Sequence, residues 1–116
     1  MTTREEAIQA CLVDSSVYAD TPFRNANWTI IRHQENQKMF AAVYQREGQT
    51  WMNVKVEPLT GDFLRQTYPA VVPAYHMNKT HWISLILDGS LEDSMVQDLI
   101  RHSYLLTAPP RKNTTP

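Results

Sequence analysis

The sequence predicts an α+β domain, a mostly antiparallel sheet with helices packed on one face in two layers. Three observations lead there. Apolar residues near the N-terminus fall at helical spacing, as Ala7, Ile8, Cys11 and Leu12. From Asn27 to Val56 the pattern switches to period two, in runs rich in aromatic and β-branched residues. Near the C-terminus Met95, Val96, Leu99, Ile100 and Leu106 form a second helical stripe.

Taken in order, residues 2–12 read as a short helix. Thr2 or Thr3 can cap it, and Glu5 or Glu6 three places on can close a capping box. Residues 28–31, 38–45 and 50–56 read as a three-stranded meander, turned at 33–37 and 46–49. Thr60 is placed to cap a helix over 61–67, which Pro69 stops. Residues 70–75 form an extended segment broken by Pro73, and 81–87 the best strand, with Ile83, Leu85 and Leu87 on one face. Asp88-Gly89 turns the chain, and Ser90 with Asp93 starts a last helix over 91–106. The expected order is therefore α-β3-α-β2-α, in a single domain over 1–107, with a flexible proline-rich tail over 108–116.

Composition bounds the function. A chain of 116 residues holds one core, too little for a barrel enzyme or a two-domain dinucleotide enzyme. With 42% hydrophobic residues it is not a disordered chain, and no run approaches the roughly 18 to 20 apolar residues of a spanning helix. The polar N-terminus has no signal-peptide core, so no membrane partner is expected. The one cysteine, Cys11, excludes an internal disulfide and reads as a buried apolar residue, so the expected location is cytoplasmic.

The net charge of -1 is unlike that of a histone-type nucleic-acid binder. Its distribution is uneven, however. Residues 21–87 carry seven basic side chains against four acidic ones, whereas residues 88–100 carry four acidic and no basic ones. The first and last helices begin acidic, which suits their dipoles.

Alternation puts Met52, Val54 and Val56 on one strand face and Trp51, Asn53 and Lys55 on the other. Trp82, Ser84 and Ile86 fall on the same side as that second set, away from the helices. Aromatic and basic residues together can stack bases and contact phosphates. The alternative is that they pack in a homodimer interface or beneath the loops at Asn25 and Pro73. His76 and His81 lie five apart in a polar cluster without a Cys, Asp or Glu to complete a metal site, so neither metal nor cofactor is expected. No nucleophile motif or phosphate loop occurs, and the chain reads as non-enzymatic.

The same cluster carries a resemblance. Pro22-Phe23, Lys38-Met39-Phe40, Asn53-Val54-Lys55, Pro73 to Lys79 running into His81-Trp82, Leu87-Asp88-Gly89 and Ser103-Tyr104 together resemble the MmcQ/YjbR family, over about residues 23–104. The resemblance implies a CyaY-like fold, similar to that of type III secretion chaperones, and a DNA-binding protein with a "double wing". The wings would be the turns at 34–38 and 46–50. The signature residues would be Lys38, Asn53, Lys55, His76, Asn78, Lys79, His81 and Trp82. The turn before Lys38 lacks the family's usual glycines, and Glu35 and Glu47 put negative charge on both wing tips. DNA contacted through Lys38, Lys55 and Lys79, with Asn53, Asn78 and His76 as polar contacts and Trp51 or Trp82 stacking, is the first expectation. The second is a protein-binding adaptor or chaperone-like module, a dimer using the open sheet face.

Overall fold

Thr3 begins the first helix. Its Oγ1 accepts from the Glu6 N–H at 3.1 Å while the Glu6 carboxylate accepts from the Thr3 N–H at 3.1 Å, a complete capping box. These bonds hold the Glu6 carboxyl below the usual carboxylate range. The helix they start is α1 (Arg4–Cys11). It is followed by β1 (Val17–Asp20), β2 (Thr29–His33), β3 (Met39–Arg46), β4 (Gln49–Lys55), α2 (Pro58–Thr67), β5 (Val71–Pro73), β6 (Trp82–Ile86) and α3 (Asp93–Thr107). The computed structural model describes residues 1–22 and 27–110. Phe23 and Asn25, and all of the tail beyond Pro110, lie outside the described residues.

The strands form one six-stranded sheet in the order β1-β2-β3-β4-β6-β5, with every neighbouring pair antiparallel. The three helices contribute to a single core against one face. Ala7 and Cys11 from α1, Leu64 from α2, and Val96, Leu99 and Ile100 from α3 meet Ile31, Ala41, Val43, Met52, Val54, Ile83 and Leu85 of the sheet. The α+β architecture with helices on one face is as the sequence predicts.

Four details differ. β1 adds a strand ahead of the expected meander. Its four residues hold one fully apolar inward side chain, Val17, too little periodicity to register, and it is fixed by pairing with β2. α2 starts three residues early, with Pro58 in its first turn and Glu57 at the cap position instead of Thr60. Proline suits that position because its missing N–H would have no partner there. α3 starts at Asp93, since Ser90 hydrogen-bonds Asp88 at 2.6 Å and leaves the cap to Glu92. Finally, the buried stripe of α3 continues through Ser103 and Thr107, so Leu106 faces outward.

Ser103 explains its place in the core. The β2–β3 register shifts between Ile31 and Arg32, which brings Phe40 and Ala41 together in a bulge. The β3–β4 ladder ends at the Ala41–Val54 pair, and the next groups are left to find partners. Ser103 Oγ donates to the Phe40 carbonyl at 2.5 Å and accepts from the Lys55 N–H at 2.8 Å. One hydroxyl thus ties α3 to the sheet where its ladder breaks.

Candidate functional site

The face turned away from the helices carries Trp28, Ile30, Ala42, Tyr44, Trp51, Asn53, Lys55, Trp82, Ser84 and Ile86, as alternation predicts. Its middle is covered. Tyr44 stacks on Trp28 with ring centroids 3.9 Å apart, and Tyr75, from the segment after β5, lies 5.8 Å from Tyr44 and 6.4 Å from Trp51. The Arg46 guanidinium sits 4.6 Å above Trp51 and 4.1 Å from the centre of the Tyr75 ring. Trp51 is 5% exposed.

Beneath these rings is a closed polar node. Asn53 Oδ1 accepts from Tyr44 Oη at 2.7 Å and from Ser84 Oγ at 2.5 Å, while its Nδ2 donates to the Tyr75 carbonyl at 2.9 Å. Ser84 Oγ accepts in turn from the Tyr75 N–H at 2.8 Å. Burial pushes the Tyr44 hydroxyl up to about 12, so it remains a donor. Asn53 and Trp51, expected as ligand contacts, thus lie within this covered part of the face. Both are buried, and Asn53 spends its hydrogen bonds fastening the Pro73 loop to the sheet.

Apart from His76, the remaining predicted residues lie at one end of that face, where β3 and β6 begin and β4 ends. Lys55 is the cross-strand partner of Trp82, and both are half-buried. Lys38 immediately precedes β3 and is exposed. Lys79 and His81 are exposed on the loop into β6. Asn78 shapes that loop, its Oδ1 accepting from the Thr80 N–H at 2.8 Å and the His81 N–H at 3.1 Å. His76 lies elsewhere on the loop, 4.0 Å from Tyr75 between ring centres, in a left-handed conformation with φ 60°. Among the described residues no three His, Cys, Asp or Glu side chains come together.

The two turns assigned as wings do not share a surface. Consecutive turns of a meander lie at opposite ends of the strand joining them, and β3 is eight residues long, about 27 Å. The β2–β3 turn is also fastened down. Asn36 Nδ2 donates to the Thr107 carbonyl at 3.0 Å, and His33 Nε2 lies 2.8 Å from Thr107 Oγ1.

Charge follows the same axis. α1 and α3 both start at the far end, where the N-terminal ammonium meets Asp93 at 2.6 Å and Arg4 meets Thr29 at 3.0 Å. Glu5, Glu6, Glu92 and Asp93 collect there, while Lys38, Lys55 and Lys79 occupy the opposite end. Glu57, just past β4, lies 3.1 Å from His102 Nε2. Cys11 is buried, which pushes its thiol up to about 12 and leaves it no nucleophile. No helix among the described residues is long and apolar enough to cross a membrane.

Trp28, Arg46 and Tyr75 are the residues sequence reasoning did not single out. Alternation puts Trp28 on the correct face, but nothing local announces that Tyr75 folds back over it from a separate segment.

Known proteins are similar to this chain in sequence and in fold. A family model described as YjbR matches residues 15–106. The chain is 32% identical over 106 residues to the uncharacterized protein YjbR of Escherichia coli K12, covering 88% of this chain and 84% of that one. It is 28% identical over 118 residues to the uncharacterized protein YyaQ of Bacillus subtilis, covering 92% and 99%. A crystal structure of a Deinococcus radiodurans protein with a DUF419 domain superposes with a TM-score of 0.81 at 28% identity, over 91% of this chain and 78% of that chain. A crystal structure of a Pseudomonas syringae protein superposes with a TM-score of 0.80 at 28% identity, over 90% and 98%.

Proposed function

The chain belongs to the YjbR family, and from that premise we propose that it is a non-enzymatic, cytoplasmic nucleic-acid-binding domain working through the lysine-bearing end of its sheet. The observation that carries this reading is the gathering of Lys38, Lys55 and Lys79 at one sheet end, beside the cross-strand pair of Lys55 and Trp82. Lysines supply phosphate contacts and a half-buried tryptophan supplies a ring against which a base can lie. Several acidic groups, Glu5, Glu6, Glu92 and Asp93 among them, stand at the other end, while Asp14, Glu35 and Glu57 share the lysine end. His81 and Lys79 are presented together by the turn that Asn78 closes.

A salt titration tests the reading. Three neutralised phosphates predict that log affinity falls with log salt at a slope of about −2 to −3. Binding that is absent at low salt, or that ignores salt, overturns it.

One observation favours a second reading, a protein-binding module. Leu59 and Phe63, four residues apart on α2, are 83% and 62% exposed. Spaced in this way they form one apolar spot on the helix surface. It lies on α2 rather than on the sheet face, whose middle is already covered. Mass measurement across protein concentration at high salt tests it, and a constant monomer mass that Phe63→Lys leaves unchanged counts against self-association.

A further inference from the structure

Building on the nucleic-acid reading, we infer that the ligand is an unpaired stretch of nucleic acid, with one base stacked on Trp82 and its flanking phosphates held by Lys55 and Lys79. The geometry speaks against a duplex first. Reading a duplex requires an element that enters a groove, commonly a helix or a two-stranded ribbon with basic side chains. The two candidate ribbons point to opposite ends of the sheet, and each carries an exposed carboxylate near its tip, Glu35 on one and Glu47 on the other. The first ribbon is also tied to the end of α3 through Asn36 and His33. The helices offer no substitute. α1 carries Arg4 beside Glu5 and Glu6 in its first turn, α2 sets Asp62 against its single Arg65, and α3 carries Asp93 and Asp98 against a single Arg101.

What the surface does offer suits a single strand. Trp82 is half-buried, so its ring is held by the sheet while part of it reaches solvent. A base inside a duplex is already stacked on both sides, so it meets such a ring only by unstacking a step, a cost that an unpaired base does not carry. Lys55 stands directly across the ladder from Trp82, and Lys79 three residues before it. Three lysines are too few to hold a duplex by phosphates alone, so stacking must supply a large share of the affinity.

The test compares a fluorescently labelled oligothymidine with a fully paired two-strand duplex of matched charge, by anisotropy at low salt. The expected result is at least tenfold tighter binding of the oligothymidine. Trp82→Ala should weaken that binding about tenfold or more, and Trp82→Phe should restore most of it. A thermal melt of each variant separates loss of the ring from loss of the fold. Lys55→Gln should lower the salt slope by about 0.7. Duplex binding equal to or tighter than single-strand binding overturns the inference while leaving the nucleic-acid reading standing. Failure to bind either ligand overturns both.

Discussion

Asn53 shows how a residue can match a signature and yet work inside the protein. Period-two alternation puts it on the sheet face opposite the helices, next to Lys55, and both placements hold. Local sequence contains no trace of Tyr75, which arrives 22 residues later to accept its amide and close the face. Asn53→Ala leaves the Tyr75 carbonyl and the Tyr44 and Ser84 hydroxyls short of partners in a buried place. It should lower stability by about 2–4 kcal/mol in urea unfolding. Nucleic-acid affinity measured on the folded fraction should stay unchanged, which separates a structural role from a contact. His33 is a second buried polar group, bonded to Thr107, and burial holds its pKa below 6.5. The unfolded chain therefore takes up a proton at His33 at a higher pH than the native state does, as pH falls through the ordinary histidine range. Melting temperature should be level above that range in this respect and fall as pH drops through it, and His33→Gln should flatten the fall.

At the scale of elements, legibility tracks how local the determining interactions are. The capping box of α1 is written in four consecutive residues and forms as read. The β3–β4 hairpin is equally local, although Glu47 and Gly48 both have positive φ, 54° and 76°. That pair makes the mirror-image turn matching strand twist, in which asparagine followed by glycine is the favoured sequence. Glu47 is strained there, and its ion pair with Arg46 at 3.7 Å is exposed and worth little. Glu47→Asn should therefore raise stability by about 1 kcal/mol, read as a higher urea midpoint with an unchanged slope. β1 was illegible for the opposite reason, because its four residues become a strand only through β2. The bulge at Phe40 is likewise invisible locally, since the hydroxyl that serves it comes from Ser103, 63 residues away. The Leu106 error has a related origin. Apolar residues alone define a stripe on paper, while the real inward face of α3 includes Ser103 and Thr107, whose hydroxyls find partners in the core.

At the scale of the molecule, a net charge of -1 conceals an uneven distribution, with Lys38, Lys55 and Lys79 at one end, beside Asp14, Glu35 and Glu57, and the acidic first turns of α1 and α3 at the other. The separation follows from topology. α1 and α3 start at the same end and take acidic residues in their first turns, where helix dipoles favour them. The strand ends that carry Lys38 and Lys55, and the loop that carries Lys79, fall at the other. The uneven charge was legible from residue counts, but its direction in space needed the strand order. This polarity makes a prediction that total charge does not. Glu35→Gln and Glu92→Gln each remove one negative charge from an exposed site. Glu35 sits in the turn that leads into Lys38, whereas Glu92 occupies the position just before α3 at the far end, about the length of β3 away. At 0.1 M salt, screening acts over about 10 Å, so a ligand at the lysine end should feel the first change and not the second. Glu35→Gln should tighten nucleic-acid binding several-fold by anisotropy, and Glu92→Gln should leave it within error. Equal effects would mean that binding responds to overall charge, and the lysine end would lose its claim to be the site.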